Sequence, residues 1–139
     1  MTMQIENIGD FLKSNNIKPS YQRIKIYEYL MGTTAHPTVD TIYRALLPEI
    51  PTLSKTTVYN TLSLFVNNDI ALLITIEENE ARYDADTSIH GHFKCDSCGT
   101  VLDFRTDLSD LEITQLEGCN VTEKHIYFRG ICGECSQKN

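Results

Sequence analysis

The sequence predicts an α+β chain in two parts, an N-terminal winged helix-turn-helix followed by a small α/β unit built around a structural zinc site. Three observations carry this prediction. Apolar residues at helical spacing dominate the first half, an alternating hairpin pattern closes it, and two Cys-x-x-C pairs frame the second half. The boundary is placed so that residues 1–83 form one domain and 84–139 the other.

Ile5, Ile8, Phe11 and Leu12 recur at helical spacing, and "NNIKPS" ends that segment with turn formers. "YQRIKIYEYLM" makes a second amphipathic helix with Ile24, Tyr27, Leu30 and Met31 on its apolar side. After "GTTAHPT", Thr38 caps a third helix whose stripe is Val39, Ile42, Tyr43, Leu46 and Leu47, closed by Pro48 and Pro51. Ser54 is the N-cap of a fourth, with Val58, Leu62, Phe65 and Val66 as its buried face. The opposite face carries Lys55, Thr56, Tyr59, Asn60 and Ser63, a row of hydrogen-bonding side chains with one cation. Base edges in the major groove are read by such groups, although the row alone equally fits an ordinary solvated face. "IALLITIEENEARYD" then alternates and turns at Glu78, Asn79 and Glu80, as two strands joined by a polar loop do. Helices closing on such a helix and followed by a hairpin describe a winged helix-turn-helix, which reads DNA with its last helix.

At 139 residues, 41% hydrophobic and 22% charged, the composition is that of a soluble globular protein. No apolar run approaches the roughly 20 residues needed to cross a bilayer. "MTMQIENIGDFLKSNN" lacks the basic cap and apolar block of a secretory signal, so a cytoplasmic location is expected and no membrane partner. In that reducing compartment five cysteines point to metal ligation before disulfides. The formal net charge of -7 argues against broad attraction to nucleic acid. Split after Glu80, each half carries more acidic than basic side chains. Any DNA contact must therefore come from a few placed residues, helped by bound cations and dimerisation.

Cys95 with Cys98, and Cys132 with Cys135, make two thiolate knuckles, and two knuckles complete a tetrahedral zinc (Zn2+) site. The stretch between the pairs is long for a zinc ribbon. It reads as a strand "TVLDF", a helix opened by Ser109 with Glu112 in a capping box and ended by Gly118, and a strand "HIYFRGI". Zinc is then the staple of a small unit. The competing thiol-redox reading lacks a surrounding β-α-β pattern, and the odd Cys119 reads as a small buried hydrophobe.

His90 and His92 are two residues apart in an extended segment, which puts both imidazoles on one strand face. Asp103 lies on the next strand, Asp84 ends the hairpin, and His36 precedes the third helix. Singly, each reads as a surface or capping residue; together they make a set of nitrogen and oxygen ligands suited to iron(II) or manganese(II) (Fe2+ or Mn2+) as well as zinc. A site joining His36 and Asp84 to the second domain would act as a switch.

"KTTVYNTLSLF", "ARYD", "HGHFKCDSCGTVLDF" and "GICGECS", in this order and spacing, resemble the ferric uptake regulator family, and within it the peroxide-stress branch. The likeness covers nearly the whole chain. It implies that Cys95, Cys98, Cys132 and Cys135 hold structural zinc, and that His36, Asp84, His90, His92 and Asp103 hold the regulatory ion. It also implies a second half that is a dimerisation domain, and a metal-loaded homodimer that binds an inverted-repeat, AT-rich double-stranded DNA operator and represses transcription. Tyr59 and Asn60 match recognition-helix residues, and Arg23 belongs to the family's "TPQR" segment. In the peroxide branch, iron-catalysed oxidation of a ligand histidine, here His36 or His90, ends repression, so the chain would be a sensor of metal ions and hydrogen peroxide and not an enzyme. Asp103, where iron-responsive relatives usually carry glutamate, and Asn60, where they often carry arginine, favour that branch. The alternatives are an iron- or zinc-responsive repressor of the same family and, from another class, a metalloenzyme or thiol oxidoreductase.

Three features depart from the family pattern. "SYQR" stands for "TPQR", with Tyr21 for proline, which bears on the helix start and on Arg23. Gly91 occupies the place of a common aspartate, so no third metal site is expected, and His125 is one step out of register with a ligand histidine.

Overall fold

The structure, a computed structural model, describes residues 5–76, 80–88, 90–106, 113–122 and 124–137. Two compact units are present, Met1–Thr87 and Ser88–Asn139. Asp84 falls in the first because it pairs with Leu72 inside the hairpin.

Four helices build the first unit: α1 (Ile5–Ser14), α2 (Tyr21–Met31), α3 (Val39–Leu46) and α4 (Lys55–Asn67). Each of the last three starts on a hydroxyl cap. Ser20, Thr38 and Ser54 accept the amides of Arg23, Thr41 and Thr57, each three residues on. The cap explains why Tyr21, in place of proline, leaves the start of α2 intact; its hydroxyl also donates to Glu49 at 3.1 Å. Ser54→Ala is expected to destabilise the first unit by about 1 kcal/mol, read as a shift in its thermal or urea unfolding midpoint.

The core joins Ile8, Leu12 and Ile17 to Ile26, Leu30, Ile42, Leu46, Val58, Leu62 and Phe65. Tyr27 meets Phe65 edge-on at 5.1 Å and donates its hydroxyl to the Ile70 carbonyl at 3.0 Å. Burial pushes the Tyr27 phenol up to about 12. The α2 stripe is broader than its sequence pattern suggests. Ile26 is buried while Ile24 and Met31 are only partly so, because α2 packs against α1, α3 and α4 at once. On α4, Thr61 takes a buried place and Val66 only a partly buried one.

The hairpin pairs β1 (Leu72–Ile74) with β2 (Arg82–Asp84) in antiparallel register, Leu72 opposite Asp84 and Ile74 opposite Arg82. Glu78 and Asn79 of the expected turn lie outside the described residues.

In the second unit β3 (His90–Cys95) is the middle strand of three, flanked by antiparallel β4 (Val101–Arg105) and parallel β5 (Tyr127–Gly130). Ser109 and Glu112 of the expected helix lie outside the described residues. What is described of that stretch is a single 3-10 turn, Thr114–Leu116, capped by Glu117, with Gly118 beyond it at φ 83°. A short helix, α5 (Gly133–Gln137), starts within the second cysteine pair, carries Cys135, and was not expected. Among the described residues, no helix is long and apolar enough to cross a membrane.

Candidate metal centres

The four cysteines of the two pairs converge. Their sulfurs all lie within 4.8 Å of one another, and Cys98 Sγ is 3.8 Å from Cys132 Sγ. A tetrahedron with metal–sulfur bonds of about 2.3 Å has an edge of about 3.8 Å, so the set fits zinc. A disulfide would need about 2.05 Å, and all five cysteines are free thiols. Local backbone makes this geometry. Cys95 ends β3, and its sulfur accepts the amides of Cys98 at 3.4 Å and Cys132 at 3.3 Å. The turn closes as the Gly99 amide donates to the Cys95 carbonyl, with Gly99 at φ 79°, a conformation that favours glycine. The Asp96 amide donates to the Gly130 carbonyl at 2.7 Å, tying one pair to the strand that delivers the other.

The amides of Cys132 and Cys98 bring the Cys95 thiol down to about 6. For Cys135 the Ser97 hydrogen bond pulls downward, but Cys132, burial, Cys95 and Cys98 together push it up to about 12. Four sulfurs this close cannot all be charged without a cation among them, which is the demand a structural zinc ion meets.

The first unit carries a histidine–carboxylate pair. His36 Nε2 lies 3.4 Å from Asp84 Oδ2, and both residues are buried. The pair is assembled by β2. Arg82 donates to the His36 carbonyl at 3.1 Å, and the Tyr83 amide donates to the Pro37 carbonyl at 3.0 Å. His36 itself sits at φ 54°, a left-handed conformation uncommon for a side-chain-bearing residue and characteristic of functional loops. One strand thus supplies the carboxylate and holds the loop that aims the imidazole.

The second unit carries another such pair. His92 and Asp103 face each other across β3 and β4, with His92 Nε2 3.3 Å from Asp103 Oδ1. Tyr127 flanks His92 from β5, its ring 6.0 Å away. The backbone of His90 pairs with Arg105, while its side chain lies outside the described residues. Donors about 2.0–2.2 Å from a zinc-sized ion lie about 2.8–3.6 Å apart, so each pair is spaced to share an ion. His125 instead meets the Tyr127 hydroxyl at 3.3 Å, and Cys119 is exposed, not buried as its type suggests.

Lys55, Thr56, Tyr59 and Asn60 are exposed on α4 and Ser63 is half-buried. Arg23 donates to the Lys18 carbonyl at 2.8 Å, and with Lys18, Ser20, Thr57 and Asn60 it lines a groove of about 460 Å³ between the start of α2 and α4. Lys55 pairs with Asp40 at 2.8 Å and lies 5.7 Å from the Tyr43 ring centroid, which ties α3 to α4. The Lys55 ammonium, with Arg44 nearby, holds the Asp40 carboxyl below its ordinary range. Asp40 and Arg82 were not legible as site residues. Asp40 and Lys55 are fifteen positions apart with no periodic link, and Arg82 acts through backbone carbonyls that carry no sequence signal.

The sequence pattern of the ferric uptake regulator family matches residues 14–129. The chain belongs to this family. It is 37% identical to the peroxide operon regulator of Bacillus subtilis (strain 168) over 139 residues, covering 97% of this chain and 95% of that protein. The solved PerR from Streptococcus pyogenes, described for peroxide sensing and gene regulation, is 32% identical with a TM-score of 0.54, over 94% of this chain and 92% of that one. The ferric uptake regulator Fur of Helicobacter pylori shares the fold at a TM-score of 0.74 and 20% identity, over 97% of this chain and 95% of that one. As a ferric uptake regulator family member the chain is a transcription regulator and not an enzyme, which sets aside the metalloenzyme and oxidoreductase readings. Repressors of this family bind DNA and are dimeric.

Proposed function

We propose that the chain is a metal-dependent, peroxide-sensing repressor that binds an inverted-repeat operator as a homodimer. One observation supports this above the others. The all-sulfur set fits permanent zinc, while two histidine–carboxylate pairs, separate from it, offer only nitrogen and oxygen. Thiolates suit zinc, and imidazoles with carboxylates suit exchangeable iron(II) or manganese(II). In this reading His36, Asp84, His90, His92 and Asp103 hold the regulatory ion.

The DNA-reading residues are Lys55, Thr56, Tyr59, Asn60 and Ser63 on α4, with Arg23 in the groove beside them. Arg23 holds the Lys18 turn through its carbonyl. The dimer is supported by the apolar side of the three-stranded sheet, where Leu102 and Phe128 are about half exposed, at 47% and 57%.

Iron(II), when bound, supplies electrons to hydrogen peroxide and so generates an oxidant beside its own ligands. His36 and His90 are the residues that gain oxygen, and a histidine so altered is a poorer donor. The test is peptide mass analysis of the iron(II) form after peroxide, with operator binding measured in parallel. Oxygen on the His36 or His90 peptide together with loss of DNA binding is expected, and the manganese(II) form should resist both. Metal-dependent DNA binding indifferent to peroxide would instead favour the metal-supply sensor.

A further inference from the structure

Gly91 stands between the two histidines of β3 and faces Phe104 of β4 in the sheet register. A Cβ built at position 91 would lie 2.2, 2.5 and 2.9 Å from three carbons of the Phe104 ring. Non-bonded carbons rest at about 3.5–4.0 Å, so the ring fills the place where any other residue would carry its side chain. Backbone conformation does not explain the glycine. Only Gly99 and Gly118 among the described glycines have positive φ, and Gly91 lies in an ordinary strand.

The same ring stacks on Phe128, with centroids 5.0 Å apart and planes 17° from parallel. Phe128 pairs with Phe93 on the other side of β3, so the two rings bridge β4 to β5 over the glycine. A slip of one residue between β3 and β4 would turn every β4 side chain to the wrong face. A slip of two would keep the faces, but in one direction would set the Phe104 ring against Phe93. The register that seats the ring on Gly91 is also the one that places Asp103 opposite His92.

We infer that Gly91 and Phe104 form a register key, and that they are positioning residues for the regulatory donors His92 and Asp103. This rests on the regulatory-metal reading above. The ring selects the register, and the glycine is the keyhole.

The test is a double-mutant cycle on the full chain, reading manganese(II) affinity and retained zinc for Gly91→Ala, Phe104→Ala and the pair. Gly91→Ala is expected to weaken manganese(II) binding at least about tenfold, the scale of losing a ligand's supporting partner, with zinc retained. In the Phe104→Ala background the same change should alter affinity by less than about twofold, because the ring it displaces is gone. Equal penalties in both backgrounds, or none in either, overturn the key. If Gly91→Ala loses zinc, Phe104→Leu decides: weaker manganese(II) binding with zinc retained supports the key, and unchanged affinity overturns it. Wild-type protein that binds no manganese(II) overturns the underlying site reading and the key with it. Binding lost in His92→Ala but untouched by Gly91→Ala overturns the key alone.

Discussion

Replacing Cys95 by serine is expected to leave the second unit without a stable fold and the protein without zinc. Cys95 is fully buried, ends β3, and accepts the amides that hold both cysteine pairs in place. Among the described residues of this unit the buried apolar side chains are Cys95, Val101 and Cys132, and two of those three belong to the sulfur set. So thin a core offers little burial to offset chain entropy. Structural zinc contributes about 10–16 kcal/mol in small zinc-dependent folds, comparable to the roughly 5–15 kcal/mol that stabilises a whole domain. Limited proteolysis with metal analysis checks it. Cleavage should move into residues 88–139, while the first unit, with its core from Ile8 to Phe65, stays protected. A Cys95→Ser protein that holds no zinc yet resists cleavage there would refute the staple.

His92→Ala is expected to abolish manganese(II)-dependent operator binding while zinc is retained. The imidazole is buried at 4% exposure and faces Asp103, so its loss removes a donor and leaves a gap beside Tyr127. Partners that only support a ligand are worth about 10–100-fold in metal affinity, so loss of the ligand itself should exceed about a hundredfold. Titrating manganese(II) against a labelled operator measures it, and Asp103→Asn should act in the same direction. Unchanged metal dependence would remove His92 from the ligand set.

The parts of this molecule governed by local chemistry were legible in its sequence. Ser20, Thr38 and Ser54 mark three helix starts because a hydroxyl cap acts within three residues. The Cys-x-x-C pairs announce a metal site because a knuckle is a local turn. The facing of His92 and Asp103 followed from strand alternation and a short connection. What was not legible depends on partners distant in sequence. Ile26 is buried because three helices surround α2, and no single-helix pattern records that. Arg82 holds the His36 loop through main-chain oxygens, and the glycine of the His-x-His shows its purpose only once the Phe104 ring is seen upon it.

Strand β3 holds His92 and, three residues later, Cys95. If the sulfur set is a permanent clamp and the histidine–carboxylate pair an exchangeable site, one short strand imposes an order in time on the two. Until the thiolates have closed on zinc, the thin core of this unit does little to hold β3, β4 and β5 together, and the key at Gly91 and Phe104 has no stable sheet on which to set the register. On the reading proposed above, zinc arrives during maturation, before the regulatory ion can be held. On that reading, a cell starved of zinc would make chains that no later supply of iron or manganese could load until zinc returned.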